Sequence, residues 1–192
     1  QLEADGHGPK VLLLSDGSFL KMFRRKRLIS SEVLRPYAER FAENATILHA
    51  ADIPVPEVLA LYRIEAPQRT AVRYIGLPGV TLRQSLQEAQ AGERDWLVEQ
   101  FGRLLAHLHE AGIYFRSLHL GNVLVLPDRR LGLIDFADMH HGRAPMPTFK
   151  RRRNLKHMQR YEQDRDWLFV EHRDALIRGY RELAPRRVDG LL

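Results

Sequence analysis

The chain of 192 residues contains no cysteine. Disulfide staples and thiolate metal sites are therefore excluded, and the natural setting is a reducing or redox-indifferent compartment. No apolar run approaches the roughly 20 residues that a membrane-spanning helix needs. The opening residues, Q-L-E-A-D-G-H-G, carry neither the basic nor the apolar part of a signal peptide. On these grounds the protein is read as cytoplasmic. A third absence is local: between Asp138 and Glu162 there is no acid, while seven Lys or Arg are present. With a second cluster at Arg24, Arg25, Lys26 and Arg27, this shows that the formal net charge of +6 is not spread evenly. Such runs make either a solvated basic face or a surface for an acidic ligand, an anionic membrane or nucleic acid. Aromatics interleaved with these cations are few, Phe149 and Tyr161 at the ends, which disfavours a stacking platform for nucleic acid.

What is present is the composition of an ordinary globular chain, 44% hydrophobic and 28% charged, with room for one large domain or two small lobes. The most informative stretch is 114–138, Y-F-R-S-L-H-L-G-N-V-L-V-L-P-D-R-R-L-G-L-I-D-F-A-D. A loop carrying His119, Gly121 and Asn122 leads into an apolar run at 123–126, a P-D-R-R turn reverses the chain, and residues 131–134 return it to Asp135. That pattern predicts a β-hairpin bracketed by two polar side chains. Folding it brings Asn122 close to Asp135. An amide oxygen and a carboxylate are hard ligands suited to Mg²⁺, which takes few protein groups when a nucleotide's phosphates supply others.

Upstream, residues 11–14 and 19–23 are apolar runs joined by S-D-G-S, a second hairpin signal. Strand alternation puts Lys21 on the same face as Phe19 and Phe23. Residues 31–50 read as a helix with Leu34, Phe41, Ala45 and Leu48 on one stripe, and D-I-P-V-P ends it. Glu39 and Glu43 lie one turn apart on that helix. Runs at 58–63 and 70–75 add strands to complete a five-stranded sheet, and G-L-P-G at 76–79 interrupts the pattern. Thr81 is a predicted N-cap for a short helix over 81–89. The clearest helix covers 95–110, with Leu97, Phe101, Leu104, Leu105 and Leu108 on its apolar stripe and Gly112 beyond its end. His107 and His109 face different ways on it, and His140-His141 have no third ligand at suitable spacing, so neither pair makes a metal site. After an irregular segment over 139–147, helices are predicted at 154–161 and 166–183, the second apolar at Trp167, Val170, Ile177 and Tyr180.

The motifs L-H-L-G-N at 118–122 and I-D-F-A-D at 134–138 follow a Lys-bearing strand and a Glu-bearing helix. In that order they resemble the catalytic core of the protein-kinase-like superfamily, in the form H-G-D-L-H-x-G-N then I-D-F-G-D used by small-molecule kinases. In chain size and general character the sequence resembles the bacterial lipopolysaccharide core (Kdo/heptose) kinases. The resemblance implies an α+β, two-lobed protein-kinase-like fold. Its N-lobe, residues 1–76, would hold a five-stranded antiparallel sheet plus one helix, and its reduced C-lobe, 77–192, would be mostly helical. It implies that the glycine-rich segment 3–10, with Gly6, Gly8 and Lys10, covers the phosphates of ATP and that Lys21 holds them. Either Glu39 or Glu43 pairs with Lys21, Glu43 being the one carried forward, and main chain near Tyr74 and Gly76 reads adenine. Asn122 and Asp135 hold Mg²⁺.

The departure is in the catalytic loop, where Phe115, Arg116 and Ser117 stand at the family's His, Gly and catalytic Asp. The carboxylate that receives the substrate hydroxyl's proton is missing. His119, or a water held by Ser117, is the substitute base. Two functions follow from the resemblance. One is an ATP-dependent phosphotransferase acting on a lipopolysaccharide core sugar or related small-molecule hydroxyl. Its acceptor would be lipid-linked or small, its anionic groups received by Arg151, Arg152 and Arg153, with peripheral contact on the anionic inner-membrane surface. The other is a pseudokinase, a nucleotide-binding or scaffolding module in envelope biogenesis without catalysis.

Overall fold

Gly17 takes a φ of 82°, a conformation that L side chains resist, and the turn it makes closes the first hairpin with Leu14 N donating to Ser18 O at 2.8 Å. Asp16 locks the turn by accepting from the Ser18 N–H and hydroxyl, and it pairs with Arg73 from another strand. The Ser18 hydrogen bonds, and then the Arg73 charge, hold the Asp16 carboxyl down at about 2.

A computed structural model of the protein describes residues 3–5, 8–24, 36–64, 69–187 and 191. Gly6, the cations Arg25, Lys26 and Arg27, and the expected helix start at 31–35 lie outside the described residues. The strands flanking the first turn are β2 (Gly8–Leu13) and β3 (Phe19–Arg24). With β1 (Glu3–Asp5), β4 (Glu57–Ile64) and β5 (Arg69–Ile75) they form one antiparallel sheet in the order β1-β2-β3-β5-β4. The register sets Lys21 opposite Val11 on one side and Val72 on the other. Helix α1 (Tyr37–Ala50) lies on this sheet and buries Ala38, Phe41, Ala45 and Leu48. It opens at Tyr37, behind an extended Pro36 with ψ of 147°.

The chain divides into two compact units. The first is Gln1–Leu77 together with Asp135–Asp138, and the second is Pro78–Ile134 with Met139–Leu192. A single cut near residue 76 therefore misses the four residues that carry the I-D-F-A-D motif into the first unit.

The second unit begins with β6 (Val80–Thr81) and α2 (Leu82–Glu88), whose N-cap Thr81 accepts from Gln84 N at 3.2 Å. Helix α3 (Ala91–Glu110) is its longest element and starts one turn earlier than expected. After β7 (Ile113–Tyr114) comes the hairpin of β8 (Val123–Val125) and β9 (Leu131–Leu133), with Val123 opposite Leu133. Arg129, at a φ of 66°, lets that turn close. Strand β10 (His140–His141) pairs with β7, so the segment after Asp138 is less irregular than expected.

Helix α4 (Thr148–Met158) begins six residues before its predicted start at 154. Its buried stripe is Arg151, Asn154, Leu155 and Met158, half of it polar, so an apolar count does not find it. Then come α5 (Glu162–Asp166), a π-helical turn over Trp167–Glu171, and α6 (Arg173–Leu183). The wider turn shifts the register between α5 and α6. Val170, one of the expected apolar positions, is exposed, while Tyr180 is buried as expected, together with Ala175 and Leu176. Helices α3 and α6 cross at two glycines: a Cβ on Gly102 would run into the Leu176 carbonyl, and one on Gly179 into the Glu99 carbonyl. Among the described residues, no helix is long and apolar enough to cross a membrane.

Candidate active site

In the first unit the site is built on the sheet face that Lys21 shares with Phe19 and Phe23. Phe19 stacks on Tyr74 at 5.5 Å, Tyr74 meets Phe41 at 5.5 Å, and Phe41 stacks on Phe136 at 4.4 Å. Asn44, buried on α1, donates its amide to Phe136 O at 2.8 Å. These contacts pin the segment that carries Asp135. Its φ of 57° is the left-handed region, which Asp enters more readily than most residues but which still carries strain. From there the carboxylate reaches Lys21, with Nζ 2.6 Å from Oδ1. Lys21 is 16% exposed and Asp135 52%, so the pair faces solvent from one side. Glu39 and Glu43 both lie exposed on α1, Lys10 and Gly76 are half-buried, and Gly8 opens β2.

In the second unit the loop 115–122 is held mainly through its backbone. Leu118 N donates to Phe115 O at 3.2 Å, and the Asn122 amide donates to Ser117 O at 3.1 Å. With its Nδ2 committed, Asn122 keeps its Oδ1 as the atom suited to a ligand. His119 accepts the Gly121 N–H on Nδ1 at 3.0 Å, so any proton it takes from an acceptor would have to go to Nε2. Its ring lies 4.6 Å from that of Tyr161.

Two anchors of this loop carry no signal in the sequence. Asp164 is fully buried, accepts from Leu120 N at 2.8 Å, and takes both Nε and Nη2 of Arg83 at 2.9 Å. Arg83 in turn lies over the Tyr161 ring. The second anchor is Asn154, which donates to Phe115 O at 2.8 Å and faces His109 with its Oδ1 at 3.1 Å. That acceptor puts the proton of neutral His109 on Nε2. Nδ1 then accepts from the Tyr180 hydroxyl at 2.8 Å, and the hydroxyl oxygen accepts from Arg151 Nη1 at 2.7 Å.

Arg151 is fully buried, and it also donates to Met146 O at 2.6 Å and pairs with Glu110 at 2.9 Å. It therefore does not belong to an acceptor-binding surface with Arg152 and Arg153, which are exposed. A guanidinium committed to Met146, Tyr180, His109 and Glu110 is structural.

Burial first, and then the Arg151 charge, push His109 down from 6.5 to about 4, against the Asn154 hydrogen bond. The unfolded chain thus binds a proton that the folded one refuses between those two values. Stability contributed by neutral His109 is present above pH 6.5 and is lost as pH falls toward 4, by about 3 kcal/mol in all. Urea unfolding at pH 7 and pH 4.5 should show this loss in the wild type and a flatter response in His109→Gln.

Asn122 and Asp135 each offer a hard oxygen, and among the described residues no group of three or more His, Asp or Glu could hold a metal by itself. An amide or carboxylate oxygen of this kind suits Mg²⁺ better than a transition metal.

Residues 5–116 match the family model of the phosphotransferase enzyme family, more than half of the chain. The chain belongs to that family. Its mixed α/β architecture on antiparallel sheets is that of the kinase-like superfamily. The match of this phosphotransferase-family chain ends where the loop carrying Ser117 begins. Over 68 residues the chain is 37% identical to a probable SapB synthase from Streptomyces coelicolor, a stretch of 31% of this chain and 7% of that protein. A crystal structure of monomeric WbdD superposes with a TM-score of 0.54 at 19% identity, covering 90% of this chain and 40% of that one, a likeness of fold. The chain thus spans less than half the length of either relative.

Proposed function

We propose that the protein transfers the γ-phosphate of ATP to a hydroxyl of a lipopolysaccharide core sugar or a related small molecule. The first unit would serve as the nucleotide-holding lobe and the second as the acceptor lobe. The observation that carries the reading is the Lys21–Asp135 pair at 2.6 Å, with Asp135 kept in a left-handed conformation by packing behind it. A Lys and a carboxylate so placed supply the two charges that a nucleotide phosphate and its metal need.

In this reading Lys21 binds phosphate oxygens, and Asp135 and the Asn122 Oδ1 would hold Mg²⁺. The ion would neutralise charge on the phosphates. Gly6, Gly8 and Lys10 would cover them, and main chain at Tyr74 and Gly76 would meet the base. Phosphoryl transfer passes through a loose transition state in most analyses, so positioning and charge neutralisation do most of the work. Ser117 would orient the acceptor hydroxyl, and His119 Nε2 would take its proton.

ATP at about 100 times its dissociation constant adds about 2.7 kcal/mol, which for a chain of this size raises the melting temperature by roughly 5–10 °C. That rise should need Mg²⁺ in the wild type, and Asp135→Ala should remove the need. An unchanged metal response in the variant would place the metal elsewhere. Single-turnover loss of the γ-phosphate then separates a transferase from a module that only binds nucleotide.

A further inference from the structure

We propose that the outer face of α4 docks the protein on an anionic phospholipid surface. The buried stripe of this helix, Arg151, Asn154, Leu155 and Met158, fixes which side faces out. At 100° per residue, Phe149, Arg152, Arg153 and Lys156 fall within an arc of about 100° on the opposite side. Phe149 is 68% exposed, near the middle of that arc, with the cations three, four and seven positions further on. Arg160 continues the row just past the helix end. The whole stretch between Asp138 and Glu162 is without an acid.

An exposed aromatic ringed by cations on one helix face fits a layered partner, charged outside and apolar beneath. A soluble phosphate offers nothing for Phe149 to enter, and cations on a convex helix diverge rather than converge on one small anion. Single-stranded nucleic acid asks for successive aromatic rings to stack on. Only one stands on this face, because the Tyr161 ring is already engaged by His119 and Arg83. The proposal does not depend on phosphoryl transfer, since docking requires neither nucleotide nor acceptor.

The test is flotation of the full chain with vesicles of phosphatidylcholine and phosphatidylglycerol in equal parts, and with phosphatidylcholine alone. Binding is expected only to the mixed vesicles, and should weaken as salt is raised. Changing Arg152, Arg153 and Lys156 together to Gln should lower partitioning roughly 100-fold. Phe149→Ala should lower it roughly tenfold and leave the salt dependence as it was. Arg152→Lys with Arg153→Lys keeps the charge and should bind like the wild type. All these positions are exposed, so the variants should stay folded, which circular dichroism checks.

Equal binding to pure phosphatidylcholine, or none to the mixed vesicles, overturns the proposal. So does displacement by soluble glycerophosphoglycerol at matching headgroup concentration, which would mean a phosphate site. RNA binding lost in the Gln variant but untouched by Phe149→Ala, with vesicles ignored, would overturn it in favour of nucleic acid.

Discussion

Ser117→Asp should raise the single-turnover rate of γ-phosphate loss, to an acceptor or to water, by roughly 10² to 10⁴-fold, the range that a well-placed general base supplies. The backbone bonds that hold the loop stay in place when the new carboxylate is introduced. Asn122 holds the Ser117 carbonyl, Asn154 and Leu118 hold the Phe115 carbonyl, and Phe115 itself is fully buried. Arg116 is exposed beside it and could draw the new carboxylate toward itself, so the experiment includes Arg116→Gly as a companion. If His119 is the working base, His119→Ala should cost far more than Ser117→Ala. A rate that fails to rise in Ser117→Asp, both alone and combined with Arg116→Gly, would show that proton acceptance does not limit this protein.

The other large effect is expected at Asp164. Asp164→Ala leaves a paired guanidinium without its carboxylate and a buried Leu120 N–H without its acceptor, each of which is costly in an interior. About 3 to 5 kcal/mol of stability should go, read as a fall in the urea midpoint at constant m-value. Asp164→Asn keeps one acceptor and should lose less. Because Asp164 holds the loop rather than touching nucleotide, the Asn variant should lower turnover while the Mg²⁺-dependent thermal shift by ATP persists. Loss of that shift in a folded Asn variant would assign Asp164 a direct part in nucleotide binding.

The elements legible in the sequence are those whose signal is local. The D-G turn after Ser15, the P-D-R-R turn, the apolar stripe of α3 and the Thr81 cap all act within a few residues, and each lies where the pattern puts it. Lys21 is legible for the same reason, a cation out of place in an apolar alternation. What stays hidden is held by partners far along the chain. Asp164 bonds residues 44 and 81 positions away, and Asn154 bonds residues 39 and 45 positions away. A buried Arg or Asn stabilised in this way looks like a surface residue to any count of apolar positions. That is why the pattern groups Arg151 with its exposed neighbours and starts α4 too late. The π-helical turn is hidden too, because one extra residue in a helix turn changes no composition, only the face that follows.

The four residues Asp135–Asp138 leave the second unit's hairpin, lodge in the first unit, and are followed at Met139 by the second unit again. No single cut of the polypeptide can therefore release the first unit whole. A fragment ending at Leu77 would lack the Phe136 ring that Phe41 stacks against and the carbonyl that the Asn44 amide donates to, leaving a hole in its own core and a buried hydrogen bond unmade. Splitting this protein into recombinant halves would thus require the missing tetrapeptide to be grafted back by circular permutation or supplied in trans.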